Sequence, residues 1–346
     1  MNFAIIGCGF IAKKHAMAIE SIEGANLIAV CDMVEENMTY YHNEYGADMY
    51  KDSHIMLQKM DIDIVCICTP TGLHAKLALQ AANAKKHIVL EKPIAMNLGD
   101  TDKIIAVCRE NKVKLSIVHP NRYRPVAVEL KKIIDSGALG KISHANALVN
   151  WNRNQEYYNQ SAWRGTRDGD GGALMNQAIH NIDLLLWYMG DVEELFSMEA
   201  TRLRDIEAED VSNGILKFSS GALGMVQAST TVYPKNFEES ISIFGEYGTV
   251  KIGGANALYF EHLEVQDMDE AEKKELIQTV ENEPWGKPGH QHILEDMIQS
   301  IKNNDEPSIN GEEGRKSLEL VLAMYQSAST KAKVQLGKEK VPAYDD

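Results

Sequence analysis

The chain has 346 residues, 44% of them hydrophobic and 25% charged, and carries a formal net charge of −15 at neutral pH. This is the composition of an ordinary folded globular protein. It is long enough for two domains, and its acidity argues against a nucleic-acid partner, which selects a basic face. The acidity is uneven: the first 120 residues hold 12 basic and 14 acidic side chains, a net of −2, and the remainder carries −13. All five cysteines (Cys8, Cys31, Cys66, Cys68, Cys108) lie in the first third, most of them in apolar runs. An odd count in such places predicts reduced, buried thiols and a cytoplasmic protein. No secretory signal is read at Met1–Ile6, and the longest apolar run, near Leu184–Met189, is far short of a membrane span.

Phe3–Ile6 reads as a short strand, Lys13–Ile22 as a helix and Leu27–Cys31 as a second strand ending in Asp32. Between the first two lies Gly7-Cys8-Gly9-Phe10-Ile11-Ala12, a G-x-G-x-x-A turn. Such a turn is weak evidence alone. Between strand and helix, with an acid 20 residues beyond Ala12, it predicts a dinucleotide-binding unit. Gly7 permits the tight turn, and Gly9 lets the backbone approach a pyrophosphate. Phe10 and Ile11 open the helix whose N-terminus faces that pyrophosphate, and Ala12 lets the helix pack close. Asp32 can accept hydrogen bonds from both adenosine ribose hydroxyls and repels a 2′-phosphate. Met33 and Val34 bring no arginine to offset that, so NAD is expected over NADP.

The alternation continues with a strand at Asp63–Cys68, a helix at Leu73–Ala84, a strand at His87–Leu90, a helix at Thr101–Asn111 and a strand at Lys114–Val118. This predicts βαβ units and a parallel sheet. The strand ends Thr69-Pro70-Thr71-Gly72, Glu91-Lys92-Pro93 and 119–122 then share one edge, where open α/β sheets bind ligands. A lysine at that edge can hydrogen-bond an alcohol oxygen and stabilise charge developing on it. Taken alone, Lys92 reads better as a surface lysine at a strand-to-loop junction.

Beyond residue 120 the pattern changes. Arg124–Ser136 reads as a helix and Lys141–Trp151 as a strand. A polar, aromatic stretch follows, including Tyr157, Tyr158, Trp163 and Arg164. Runs near 193–202, 209–218, 221–231, 238–246 and 249–260 predict a mostly antiparallel sheet, closed by helices at 289–303 and 311–331 and a C-terminal tail. In the apolar stretch 169–187, Asn176, His180 and Asp183 recur at helical spacing. A histidine there can shuttle a proton near neutral pH, or be a satisfied core residue. Arg122 and Arg164 are candidates to fork onto a carboxylate or diphosphate, or to form ordinary salt bridges. The spacing of the histidines, His290 and His292 included, matches no ordinary metal set, so no metal is expected.

Taken together, Gly7–Ala12, Thr69-Pro70 with His74, Glu91-Lys92-Pro93 and the His180 segment resemble the Gfo/Idh/MocA oxidoreductases over nearly the whole chain. The resemblance implies an α/β fold: an NAD-binding Rossmann domain at 1–120, then an α/β domain at 121–346 with a large, mostly antiparallel open sheet that binds substrate and carries the oligomer interface. A homodimer or homotetramer is implied, with no membrane partner. It also implies that Lys92 binds the reacting hydroxyl, that His180 is the acid/base, and that Thr69, Pro70, His74 and Glu91 serve the cofactor. Many members carry Asp four residues before the histidine, where this chain has Asn176, which cannot relay a proton. Trp163-Arg164-Gly165-Thr166 and Gly171–Gln177, with Tyr158 upstream, resemble the nucleotide-sugar branch that oxidises C3 of UDP-N-acetylglucosaminuronate. On that reading Asn176, Arg164, Tyr158, Trp163 and Arg122 bind the substrate. The alternatives are an inositol or simple-sugar dehydrogenase, a biliverdin-reductase-like member and a non-catalytic NAD-binding regulator.

Overall fold

Short strands built from Ile, Val, Ala and Cys, apolar on both faces, require helices on both sides, and this is how the first part of the chain folds. The structure, a computed structural model, describes residues 1–337. The expected tail lies, from residue 338 onward, outside the described residues. The chain divides into two compact units, Met1–Pro120 with Lys287–Arg315, and Asn121–Gly286 with the chain from Lys316 onward.

The first unit contains β1 (Asn2–Ile6), α1 (Phe10–Glu20), β2 (Asn26–Cys31), α2 (Glu35–Tyr45), β3 (Asp48–Tyr50), α3 (Ser53–Leu57), β4 (Ile64–Ile67), α4 (His74–Asn83), β5 (His87–Leu90), α5 (Leu98–Glu110) and β6 (Leu115–Ile117). The six strands are parallel, in the order β3-β2-β1-β4-β5-β6. The winding reverses between β1 and β4, the switch point where such sheets open a crevice. Residues 287–315, remote in sequence, complete this unit. They are apolar where they meet it: Leu294 and Met297 are fully buried, Asn310 bridges Ser116, and Gly311 and Gly314 lie against Leu115 and Ile117.

The second unit contains α6 (Pro125–Asp135), β7 (Ile142–Asn150), α7 (Gln155–Asn159), a π-helical turn (Ala173–Ala178) running into α8 (Ile179–Met189), then β8 (Val192–Ala200), β9 (Val211–Phe218), β10 (Leu223–Ser229), β11 (Glu238–Gly245), β12 (Gly248–Gly253), β13 (Tyr259–Val265) and α9 (Glu270–Asn282). Helix α10 (Gly289–Asn303) belongs to the first unit, where it packs on α1. Helix α11 (Gly311–Thr330) and β14 (Val334–Gln335) close the chain. The sheet runs β13-β12-β11-β7-β10-β9-β8-β14, antiparallel except for the β7–β10 pair. Along β9 the residues Gly214, Leu216 and Phe218 turn inward, alternating with Asn213 and Ile215. Phe196, Ile215 and Met225 stand side by side across β8, β9 and β10, and Ile215 is 63% exposed.

The expected mostly antiparallel sheet is present, with differences in detail. The run at 249–260 is two strands, β12 and the start of β13, separated at Gly254, where φ is +96°. The first helix begins at Phe10, directly on the glycine turn. Among the described residues no helix is long and apolar enough to cross a membrane, and the five cysteines are buried free thiols.

Candidate active site

The carboxyl edge of the parallel sheet gathers the first set of residues. At the switch point Gly7 has φ +88°, and a Cβ there would stand 2.8 Å from Thr69 Cγ2 and 2.9 Å from the Cys68 carbonyl carbon. Backbone conformation and close approach therefore both demand glycine. Gly9 has open space where a Cβ would go and precedes α1 without any side-chain cap. The first N–H groups of that helix are thus presented to a ligand, as an anion site requires. Asp32, following β2, accepts from the Cys8 N–H (2.8 Å), the Val34 N–H (2.9 Å) and Asn37 Nδ2 (3.2 Å). Its carboxylate is thereby fixed beside the glycine turn. These residues fit the pyrophosphate and ribose of a dinucleotide.

Lys92 follows β5 and is half-buried, and the Lys92–Pro93 bond is cis. Histidines fix the chain on either side of it. His74 Nδ1 lies 2.7 Å from the Pro93 oxygen and Nε2 2.9 Å from the Thr69 oxygen. Two carbonyls favour the cation, but burial outweighs them and pushes the His74 pKa down. Glu91 is buried, and its Oε1 accepts from His15 Nε2 at 2.9 Å. His290 Nε2 stands 3.5 Å from the same oxygen. Burial alone would raise the Glu91 pKa. The imidazole hydrogen bonds reverse that and hold it well below the usual carboxylate range, the His15 bond being the one with good geometry. Burial also lowers the His15 pKa, so the pair is a carboxylate accepting from a neutral ring. His15, Glu91 and His290 cluster closely enough to invite a metal. However, bonds of about 2.0–2.1 Å from one ion to two atoms 2.9 Å apart would meet at about 90°, well short of the tetrahedral angle zinc takes. A direct hydrogen bond describes the 2.9 Å contact better.

In the second unit, Asn176 lies on the π-helical turn and His180 is the second residue of α8, both half-buried. The wider π turn separates them across a change of helix type. Asp170, buried, accepts from the Gly165 N–H at 2.7 Å and from Asn176 Nδ2. That bond holds the Asn176 amide by its NH₂ end. Asp183 lies further along α8, fully buried, and takes the Arg122 fork at 2.8 and 2.7 Å. The Arg122 fork thus faces a buried carboxylate in an internal ion pair, the arrangement that stood beside the substrate-anchor reading. Tyr158 is also turned inward: its hydroxyl meets Thr230 Oγ1 at 3.0 Å, and burial pushes its pKa up to about 12. Its neighbour Tyr157 is the more accessible ring. The Tyr157 oxygen accepts from Arg164 (2.6 Å) and Gln177 (3.3 Å), and the Arg164 guanidinium lies over Tyr157 and Trp163.

The π turn is anchored by a residue that sequence reasoning missed. Glu209 accepts from the Leu174 N–H (2.8 Å) and from the Tyr325 hydroxyl (3.1 Å), while its backbone oxygen takes the Ala173 N–H (3.0 Å). A Cβ on Gly172 would fall 1.6 Å from Glu209 Oε2, so the carboxyl occupies the space that glycine leaves. Burial drives the Glu209 pKa up to about 8, the Leu174 N–H opposes this, and the nearby Glu199 adds to the rise.

A glycine turn at the switch point, an acid after β2 and an appended antiparallel sheet define a dinucleotide-dependent, two-unit enzyme class. Comparison with known proteins gives the particular family. Residues 1–119 match the oxidoreductase family with an NAD-binding Rossmann fold, and residues 127–251 match the GFO/IDH/MocA C-terminal domain. Two solved structures are similar along the whole length. The WlbA dehydrogenase from Chromobacterium violaceum in complex with NADH and UDP-GlcNAcA is 36% identical (TM-score 0.92, 98% of this chain and 97% of that one). Its counterpart from Bordetella pertussis, in complex with the same two molecules, is 34% identical (TM-score 0.93, 98% of each chain). Myo-inositol 2-dehydrogenase of Thermotoga maritima is 28% identical over 97% of this chain and 98% of its own. The chain belongs to the Gfo/Idh/MocA family. It is an NAD-dependent oxidoreductase acting on CH–OH groups.

Glu209 yields a pH prediction. Between the ordinary glutamate value and about 8, the folded protein holds a proton on this side chain that the unfolded chain has lost. Its contribution to stability is therefore complete at low pH and is lost as the pH rises through 8, at up to about 1.4 kcal/mol per pH unit. Glu209→Gln keeps the shape without the titration. Urea unfolding at pH 5, 6, 7 and 8 should show a shallower decline for the variant, and parallel declines would refute the assignment.

Proposed function

We propose that this enzyme oxidises the C3 hydroxyl of UDP-N-acetylglucosaminuronate to a 3-keto sugar. The observation that carries this reading is the match, over 98% of the chain at 36% and 34% identity, to two dehydrogenases holding NADH and UDP-GlcNAcA. The Trp163–Thr166 and Gly171–Gln177 segments support it. In this reading Lys92 donates a hydrogen bond to the reacting hydroxyl and steadies the oxygen as its negative charge develops. His180 takes the hydroxyl proton as general base, a role typically worth about 10²–10⁴-fold. Gly7, Gly9, Phe10, Ile11, Asp32, Thr69 and Pro70 would hold NAD⁺, which would supply the hydride acceptor for the same carbon. His74 and Glu91 act on the cofactor side by fixing the loop that carries Lys92. Asn176, held by Asp170, orients the substrate or His180 but moves no proton. Arg164, stacked between Tyr157 and Trp163, is the arginine we assign to the sugar end.

The second reading, an inositol dehydrogenase, rests on the full-length match to the Thermotoga enzyme. NADH production from UDP-N-acetylglucosaminuronate, UDP-N-acetylglucosamine and myo-inositol separates the two, with 2-oxoglutarate added to reveal cofactor recycled in place. Turnover on myo-inositol alone would overturn our reading.

Lys92→Ala and His180→Ala should each bind NAD normally and lose at least 10²-fold in turnover. Near-normal rates in both would remove this mechanism. Asp32→Ala should weaken the preference for NAD over NADP, measured as the ratio of kcat/KM values. An unchanged ratio would mean that Asp32 does not read the ribose.

We further propose a cytoplasmic homodimer or homotetramer formed through the open sheet. The buried thiols support the location, and the Phe196–Ile215–Met225 row, with Ile215 and Met198 63% and 69% exposed, supports the interface. Light scattering should report two or four chains for the wild type and a shift toward one chain for Ile215→Glu. A monomeric wild type would contradict it.

A further inference from the structure

We infer that a cavity of about 590 Å³ at one end of the antiparallel sheet is the subsite for the diphosphate of a nucleoside-diphosphate sugar. This rests on the nucleotide-sugar reading and places the ligand's most highly charged part on named residues. The cavity opens where β7 and β10, the parallel pair, both finish. Arg153, Lys235, Asn152, Asn236, Asn256 and Tyr157 line it, and no Asp or Glu does.

Among the described residues, neither of its two cations has a carboxylate partner. Arg153 Nη1 donates to the Asn152 carbonyl (2.7 Å) and to Asn236 Oδ1 (3.3 Å). Its guanidinium lies over the Trp151 and Tyr157 rings, 4.9 and 5.3 Å from their centroids. Two anchors and two aromatic faces hold the fork in place, and Nε and Nη2 remain to bind a ligand. Lys235 is exposed and forms no ion pair with the described residues. Asn236 Oδ1 also accepts the Asn152 N–H at 3.1 Å, which turns the Asn236 NH₂ the other way. The lining thus offers donors and positive charge, whereas a diphosphate offers only acceptors and negative charge. A single sugar carboxylate would need one fork, while a diphosphate uses both cations. Another cavity, about 620 Å³ in the first unit, makes the contrast. Its Arg109 and Lys114 are already engaged by Glu312 (2.7 Å) and Glu306 (2.9 Å). Tyr157 connects the subsite to the proposed chemistry, since its hydroxyl meets Gln177 on the turn that precedes His180.

The test uses the full-length, NAD-loaded protein with Lys235→Gln and Arg153→Gln. Calorimetric titration with UDP reads the subsite without turnover. Each variant should bind UDP roughly ten- to a hundredfold more weakly, the loss expected for one charged hydrogen bond. The KM for UDP-N-acetylglucosaminuronate and for UDP-N-acetylglucosamine should rise by the same factor, with kcat falling far less. Lys235 lies on the surface, so its variant keeps the test open if Arg153→Gln fails to fold. Wild-type UDP affinity in Lys235→Gln overturns the subsite. A KM change confined to the uronate also overturns it, because the cations would then be reading the sugar carboxylate. Weakened UDP binding in the variants of an enzyme that turns over only inositol would refute the proposed substrate and leave the subsite standing.

Discussion

The first unit depends on one buried carboxylate. Glu91 stands at the end of β5 with almost no access to water, and a charge there is tolerable only with donors around it. His15 reaches it from α1, the helix that starts on the glycine turn. His290 reaches toward it from α10, which returns to this unit from nearly 200 residues away along the chain. A single acid therefore joins the cofactor turn, the strand that delivers Lys92 and the segment that completes the unit. Removing one imidazole would not merely delete a contact. It would leave a poorly compensated buried charge, which costs several times what a surface ion pair contributes. Lys92 consequently occupies a loop fixed on one side by Glu91 and on the other by His74.

The second unit meets the same problem differently. The apolar run from the π turn into α8 carries Asn176, His180 and Asp183, and two of these are tied to separate partners. Asp183 is neutralised by Arg122, and Asn176 is gripped by Asp170. The π turn before α8 widens the backbone at the position that bears Asn176, and Glu209 ties its start to β9 and α11 through the Leu174 N–H and Tyr325. Where many relatives would place an aspartate at position 176, this chain keeps an amide with a carboxylate behind it. The anionic group is still in the neighbourhood, displaced by one hydrogen bond. It can orient through Asn176, but no proton can pass along that route.

What could be read in advance follows the range of the forces involved. The glycine turn, Asp32 and the strand-end residues were legible because local steric and charge requirements fix them within a few residues. Five of the six strands of the parallel sheet follow from alternation once the glycine turn marks the start. Elements without a strong local signature stayed hidden. Strand β3 is three residues at an edge, and α2 (Glu-Glu-Asn-Met-Thr-Tyr-Tyr-His-Asn-Glu-Tyr) has little apolar periodicity. Helix α9 did carry a signal, the Asp269–Glu272 capping box that the structure forms. Long-range pairings left no trace in the sequence. The parallel β7–β10 register, the return of 287–315 and the Arg122–Asp183 and Glu209–Leu174 bonds all depend on residues brought together only by folding. The inward partners of Arg122 and Tyr158, Asp183 and Thr230, lie far along the chain and leave no local mark on the sequence.

Charge distribution connects these observations to substrate choice. A chain of net charge −15 repels anions at long range, so an anionic nucleotide sugar must be attracted locally. Several of the second unit's cations are committed elsewhere: Arg122 to Asp183, Arg124 to Glu239, Lys251 to Glu238 and Glu261, and Lys273 to Glu264 and Glu270. Those pairs stabilise the fold and are electrostatically silent at a distance. Arg153 and Lys235 are left exposing charge in one cavity, and Arg164 is held over two rings nearby in sequence. An acidic protein that presents an arginine fork and an ammonium in one cavity discriminates by position: the attraction is strongest where the anion's phosphates meet that fork and ammonium.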